Sequence, residues 1–291
     1  MKFSIKSTFS HNNLREFPGF APKGFISRIN PRIVNDPLLL QILPQKCEYK
    51  NDRGFIIDPL NEKKYSPFPG LLHKYHGRVL LLVTDICAIN CRFCFRRHFR
   101  EKVLDWSEVF NYIEHDSSIN EIILSGGDPF MLAIQDLKEI INKLSDISHV
   151  KRIRIHSRVP IVMPEKIKMA IFNVRCPLIL VIHCNHPNEI NSEVENTLKL
   201  IRKKNITILN QSVLLRGIND DAKVLVNLSE KLFKVGVMPY YLHIMDKVKG
   251  AAHFYVGTTK AKEIYRKMRE KLPGYLIPKL VIELQGKKEY L

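Results

Sequence analysis

The chain has 291 residues, 45 % hydrophobic and 26 % charged, with 46 Lys plus Arg against 29 Asp plus Glu and a formal charge of +17. That content supplies one sizeable core and excludes wholesale disorder, no run of about 18 apolar residues offers a membrane span, and Met1-Lys2-Phe3-Ser4-Ile5-Lys6 lacks the apolar stretch of a secretory signal. The positive charges are spread in short clusters such as Arg202-Lys203-Lys204 with no aromatic-interleaved stripe, which favours solvated lysines and an anionic cofactor over a nucleic-acid surface.

Residues 1–70 read as an irregular N-terminal extension, punctuated by Pro18, Pro22, Pro31, Pro37, Pro44, Pro59, Pro67 and Pro69. A short helix is expected around Pro37 to Leu43, and Phe20, Phe25, Leu38 to Leu40 and Phe55 call for burial against the main body. From residue 78 short apolar runs alternate with amphipathic segments. The runs 79–83, 121–124, 152–155, 178–182, 206–209 and 237–242 suit strands buried on both faces of a parallel sheet. Between them Trp106 to His115, Ile134 to Leu144, Pro164 to Phe172, Glu189 to Lys204, Asp221 to Val235 and Thr259 to Leu272 read as helices. Six βα units with right-handed crossovers give an α/β fold, either a barrel-like sheet or a doubly wound one. A core barrel over 71–272 is expected, followed by a C-terminal segment over 273–291.

Polar and reactive residues follow each strand: Cys87 after the first, Ser125-Gly126-Gly127-Asp128 after the second, His156-Ser157-Arg158 after the third, His183 to His186 after the fourth, Gln211 after the fifth, and His243 with Asp246 after the sixth. Such clustering at strand C-termini marks the active face of a barrel. Of six cysteines, Cys47, Cys176 and Cys184 lack ligand spacing and read as small buried apolar residues. With no signal peptide, disulfides are not expected and a cytoplasmic setting is. Cys87, Cys91 and Cys94 form C-x₃-C-x₂-C. Structural zinc would want a fourth ligand, and only His98 is near. A [4Fe–4S] cluster on three cysteines keeps one iron open to a small molecule. Arg92, Arg96, Arg97 and Arg100 would offset its negative charge.

This spacing after a first strand resembles the radical S-adenosylmethionine superfamily, which implies a partial (β/α)₆ TIM-like barrel, a [4Fe–4S] cluster on Cys87, Cys91 and Cys94, and S-adenosyl-L-methionine. Ser125-Gly126-Gly127-Asp128 resembles the segment that contacts the methionine moiety. Wider stretches resemble the lysine 2,3-aminomutases: residues 69–75, 78–84 and 94–99, His183 to Glu189 and Asn210 to Gly217. Residues 238–243, 246–248, 250–254 and 274–280 resemble the branch that makes (R)-β-lysine for elongation factor P. The resemblance covers roughly residues 30 to 291.

It implies an isomerase with pyridoxal 5′-phosphate as second cofactor, L-lysine as substrate, a flavodoxin- or ferredoxin-type reductant, and a link to elongation factor P and its β-lysine ligase. Arg96 matches the arginine that holds the substrate carboxylate, and Asp246 the carboxylate that receives the side-chain ammonium. Glu283 stands where free-lysine mutases carry a second such carboxylate, or is an exposed residue. Arg78, with Lys74 assisting, falls near the phosphate, and Gln211 lines the cofactor. The cofactor lysine is Lys288, with Lys287 as second choice, in the short stretch Gln285-Gly286-Lys287-Lys288-Glu289-Tyr290-Leu291, and the C-terminal segment 273–291 is expected to work as a lid. Alternatives are a mutase of free amino-acid metabolism and a radical enzyme without the pyridoxal chemistry. A homo-oligomer is compatible with the sequence.

Overall fold

Among the described residues the alternating pattern resolves, in a computed structural model, into nine strands of one sheet. The structure describes residues 17–99, 101–284 and 287–291, so Met1 to Lys6, Arg100, Gln285 and Gly286 lie outside the described residues. The strands are β1 Leu71–Tyr75, β2 Arg78–Thr84, β3 Glu121–Gly126, β4 Arg152–Ser157, β5 Leu178–His183, β6 Thr207–Leu214, β7 Met238–Ile244, β8 Lys279–Leu284 and β9 Lys287–Tyr290. Their spatial order is their chain order. Neighbours from β2 to β8 pair in parallel, while β1 and β9 add on antiparallel at the two ends. The Lys74 ammonium and Tyr75 hydroxyl of β1 reach Glu283 of β8, so side chains bridge the gap that backbone pairing leaves open. The result is a curled, partial α/β barrel.

Helices cover the outside. Trp106–His115, capped by the Asp105 carboxylate on the Ser107 and Glu108 N–H groups, buries Val109 and Ile113. Ile134–Asp146 buries Leu137, Ile141 and Leu144 at i, i+4, i+7 spacing. Ala222–Lys234 starts at the Asp221 cap and Thr258–Arg269 follows β7. The expected helix over Glu189 to Lys204 starts only at Ser192, because Asn191 caps it. The one expected over Pro164 to Phe172 is instead two short turns, Pro164–Lys166 and Met169–Phe172, preceded by a short helical turn at Val159–Val162. Pro160 and Pro164 each sit in the first positions of a turn, where the missing N–H is harmless, and Ile167 and Lys168 are extended between turns.

The sheet is not apolar on both faces as the runs suggested. In β4 Ile153 and Ile155 are buried under the helices, while Arg154 and His156 line the interior cavity. In β6 Ile208, Asn210, Ser212 and Leu214 are buried and Gln211 and Val213 face inward. The main core therefore lies between sheet and helices, and the interior cavity mixes polar groups such as Arg154, His156 and Gln211 with apolar ones such as Leu80, Ile123 and Val213.

The N-terminal stretch wraps the barrel mouth. Its helix runs Pro37–Leu40, with Asp36 capping Leu38 and Leu39, an arrangement that stabilises by about 1 kcal/mol. Phe25 and Leu38 are fully buried, but Phe20 is 48 % exposed, contrary to expectation: its carbonyl, rather than its ring, is used, accepting from the Asn90 N–H. The C-terminal segment expected as a lid forms β8 and β9, two strands of the wall itself. Cys184 is buried as expected, whereas Cys47 and Cys176 are only half-buried.

Candidate active site

At the β-strand C-termini opens a cavity of about 570 Å³. Its wall brings together every residue expected at the site: Cys87, Cys91 and Cys94; Ser125, Gly126, Gly127 and Asp128; Arg78, Arg96 and Gln211; and Asp246 with Lys288. Lys74 and Glu283 line it too. Lys287 does not; it is exposed, as strand alternation along β9 requires, and Lys288 turns inward.

The cysteine loop follows β2 and is held from outside by the N-terminal wrap. The Arg92 N–H donates to the Gln41 carbonyl, and the Asn90 amide to the Pro18 carbonyl. Arg92 and Arg97, expected as charge-balancing residues, are instead buried partners of Glu48, with Arg92 Nε 3.0 Å from Oε1 and Arg97 Nη2 2.6 Å from Oε2. Burial would raise the Glu48 carboxyl, but the two guanidiniums hold it below the usual range. Arg158, at the exit of β4, places Nη1 2.8 Å from Cys91 Sγ. Among the described residues no three acid, His or Cys side chains converge as they would on one metal ion. Cys87, Cys91 and Cys94 all line the cavity, and Cys91 faces the buried Arg158 cation, a donor set whose chemistry fits an anionic iron–sulfur cluster.

The glycines work sterically. Gly126 has φ +113°, and a Cβ there would sit 2.5 Å from the Thr84 carbonyl oxygen. One on Gly127 would sit 2.2 Å from that of Ile86. The Gly127 and Asp128 N–H groups donate to these two oxygens at 2.6 and 2.8 Å. Lacking side chains, the two loops therefore touch backbone to backbone. Asp128, expected to bind cofactor, spends its carboxylate otherwise: Oδ1 accepts from Ser157 and the Phe130 N–H, Oδ2 from the Arg158 and Val159 N–H groups. Burial pushes it up to about 6 despite these bonds. It fixes the β3 exit to the β4 exit, leaving the inward Ser125 and the glycine backbone to face the cavity.

The opposite wall carries the C-terminal strands. Lys288 Nζ lies 4.2 Å from the centroid of the Tyr241 ring, and burial lowers its ammonium while Glu283 opposes this. Tyr241 and Tyr290 share a hydroxyl contact of 3.3 Å. Arg78 stacks over Tyr75 at 4.4 Å. Glu283 is no exposed residue: it is paired with Lys74 and accepts from Tyr75. Asp246 is half-buried, and desolvation and then Glu283 push it up to about 7. His183 and His243 are pushed down to about 3 by burial, so both imidazoles are neutral.

Sequence reasoning missed two contributors. Glu62, in the lysine-rich turn Glu62–Tyr65, clamps one edge of the Arg96 guanidinium through Nε at 2.8 Å and Nη2 at 2.5 Å. Nothing local in the sequence marks it, since its partner is 34 residues away. Arg158 was visible only as one polar residue at a strand end.

A radical SAM superfamily model matches residues 81–174. The chain is 47 % identical over 275 residues to an L-lysine 2,3-aminomutase of Buchnera aphidicola, covering 91 % of this chain and 81 % of that protein. It is 45 % identical to that of Escherichia coli over 276 residues, 91 % of this chain and 80 % of the other. Among solved structures a radical SAM methyltransferase from Sphaerobacter thermophilus shares the fold at a TM-score of 0.51 and 14 % identity, covering 75 % of this chain and 72 % of that one. On this relatedness and on the cysteine loop at the mouth of a partial barrel, the chain belongs to the lysine 2,3-aminomutase family of the radical SAM superfamily.

Proposed function

We propose that the protein is a lysine 2,3-aminomutase, an isomerase that converts L-lysine to (R)-β-lysine destined for attachment to elongation factor P by a ligase. One observation carries the reading: the three thiols of the loop after β2 and the half-buried Lys288 of the C-terminal strand β9, nearly 200 residues apart in sequence, line the same cavity. Cys87, Cys91 and Cys94 would hold a [4Fe–4S] cluster, with S-adenosyl-L-methionine against Ser125 and the glycine loop. Lys288 would hold pyridoxal 5′-phosphate, with Arg78 at its phosphate and Gln211 beside it. When bound, these groups supply a hydrogen-abstracting radical fed by one electron from a flavodoxin- or ferredoxin-type donor, and a π-system that carries the migrating nitrogen.

The chain's own residues then do the binding. Arg96, with one edge held by Glu62, offers its remaining N–H groups to the substrate carboxylate. Asp246, which adds to the larger effect of Glu62 in raising Arg96 against its desolvation, receives the side-chain ammonium. The buried Tyr241 ring, over which Lys288 sits, would shield the reacting carbons from water. Glu283 is engaged by Lys74 and Tyr75, which supports Asp246 as the carboxylate that receives the ammonium.

The test is anaerobic reconstitution with iron, sulfide, S-adenosylmethionine, pyridoxal phosphate, dithionite and lysine, followed by chiral analysis of β-lysine. Lys288→Ala should abolish turnover and the lysine-linked pyridoxyl peptide recovered after borohydride reduction, while Lys287→Ala should keep both. Normal turnover in Lys288→Ala would end the assignment. Restored β-lysylation of elongation factor P in a mutase-deleted strain tests the downstream role.

A further inference from the structure

Arg158 is buried to 6 % exposure and reaches four elements at once. Its backbone N–H is fixed 2.7 Å from Asp128 Oδ2, which pins the base of the side chain where β3 and β4 end. Its Nη2 lies 3.0 Å from Glu189 Oε2 and also donates to the Gln41 side chain of the N-terminal wrap. Glu189 cannot turn away, since its other oxygen accepts the Asn185 and His186 N–H groups. The Phe25 and Phe93 rings lie 5.7 and 5.6 Å from the guanidinium carbon. A purely structural pair would be complete with Glu189. Here the second arm of the fork, Nη1, is aimed at Cys91 Sγ at 2.8 Å. A guanidinium stays charged at any accessible pH, so this is a permanent cation on a ligand sulfur.

We infer that Arg158 is a positioning residue for the iron–sulfur cluster, holding the Cys91 thiolate by an N–H···S bond and thereby raising the cluster's reduction potential. The inference rests on the cluster reading of the cysteine loop. Hydrogen bonds to ligand sulfurs withdraw charge and favour the reduced, more negative cluster. The one electron comes from a low-potential donor and resides on the cluster; no bond at Arg158 forms or breaks. Glu189 works in the opposite sense, by partly neutralising the cation.

The experiment is a dithionite redox titration of the anaerobically reconstituted full chain, without S-adenosylmethionine or lysine, followed by electron paramagnetic resonance of the reduced cluster. Arg158→Lys, which keeps a cation beside Glu189 but loses the fork, should shift the midpoint negative, lowering the reduced-to-oxidised ratio at the wild-type midpoint by about three- to tenfold. Glu189→Gln should shift it positive. Opposite signs are what a merely structural pair would not give. Wild-type midpoints in both variants, or shifts of the same sign, overturn the inference. Should Arg158→Lys load no iron, the sign of the Glu189→Gln shift decides: positive supports the inference, zero or negative overturns it. A wild-type protein that takes up no iron and sulfide would instead remove the cluster reading itself.

Discussion

Of the two raised carboxyls in the cavity wall, Asp128 at about 6 is tied to the Arg158 and Val159 N–H groups, and Asp246 is the one placed to meet a substrate ammonium. Burial is the main cause of its rise, Glu283 adds to it, and Lys74 pulls back, with the outcome at about 7. The protonated acid cannot hold an ammonium ion; the carboxylate can. Lysine affinity should therefore rise as pH rises through about 7, and KM should increase up to about tenfold per unit below that. His183 and His243, at about 3, do not titrate in this window and cannot mimic the effect. Measuring β-lysine formation from pH 6 to 8 at varied lysine checks this. Asp246→Asn should raise KM and flatten its pH dependence, and a wild-type KM that stays constant over the range would refute the role. The same raised acid makes the folded chain bind more protons than the unfolded one between about 4 and 7, so Asp246 subtracts from stability as pH climbs through that interval.

At the scale of elements, the loop after β2 and the loop after β3 form one unit because neither glycine carries a Cβ. Gly127→Ala would drive a methyl group to 2.2 Å from the Ile86 carbonyl oxygen and 2.6 Å from its carbon. Backbone cannot yield as a side-chain tip can, so the loops must part, at about 2 kcal/mol or more. Thermal unfolding should show that loss, and iron bound per chain should fall. Gly274→Ala, where a Cβ meets nothing within 4 Å, serves as the neutral control. The elements were readable where periodicity and caps agree: Trp106–His115 is the expected helix to the residue, and Asp221 opens Ala222–Lys234. They were not readable where prolines interrupt, as between Val159 and Phe172, nor where strands are short and basic, as in Lys287–Tyr290. The cysteines and strand-end residues were legible because chemistry demands their types at fixed offsets. Glu62 and Glu48 were not, nor was the pairing of the strand-end Arg158 with Glu189, because an ion pair across 34, 44 or 31 residues leaves no local pattern.

Across the whole molecule the N-terminal wrap is a working part of the barrel rather than an appendage. One carboxylate, Glu48, holds both Arg92 and Arg97, and the three side chains are 2–6 % exposed. These two arginines lie on the cysteine loop, so the brace and the candidate cluster site share a single buried charge set. Glu48→Gln removes the negative charge with little change in volume and strands two guanidiniums out of water. Breaking a buried pair on one side costs about 3–5 kcal/mol, because the desolvation remains without its compensation. The expected outcome is a large drop in melting temperature together with faster amide exchange in both 17–50 and 87–97, since the two segments are joined through this carboxylate. The wild type should show the same weakness on acidification: the Glu48 carboxyl lies below 4.5 when folded, so its contribution is complete above the unfolded value and is lost as pH falls through the folded one. Exchange that quickens in only one of the two segments would mean that the wrap and the loop are stabilised independently, and would sever the link between the N-terminal third and the site.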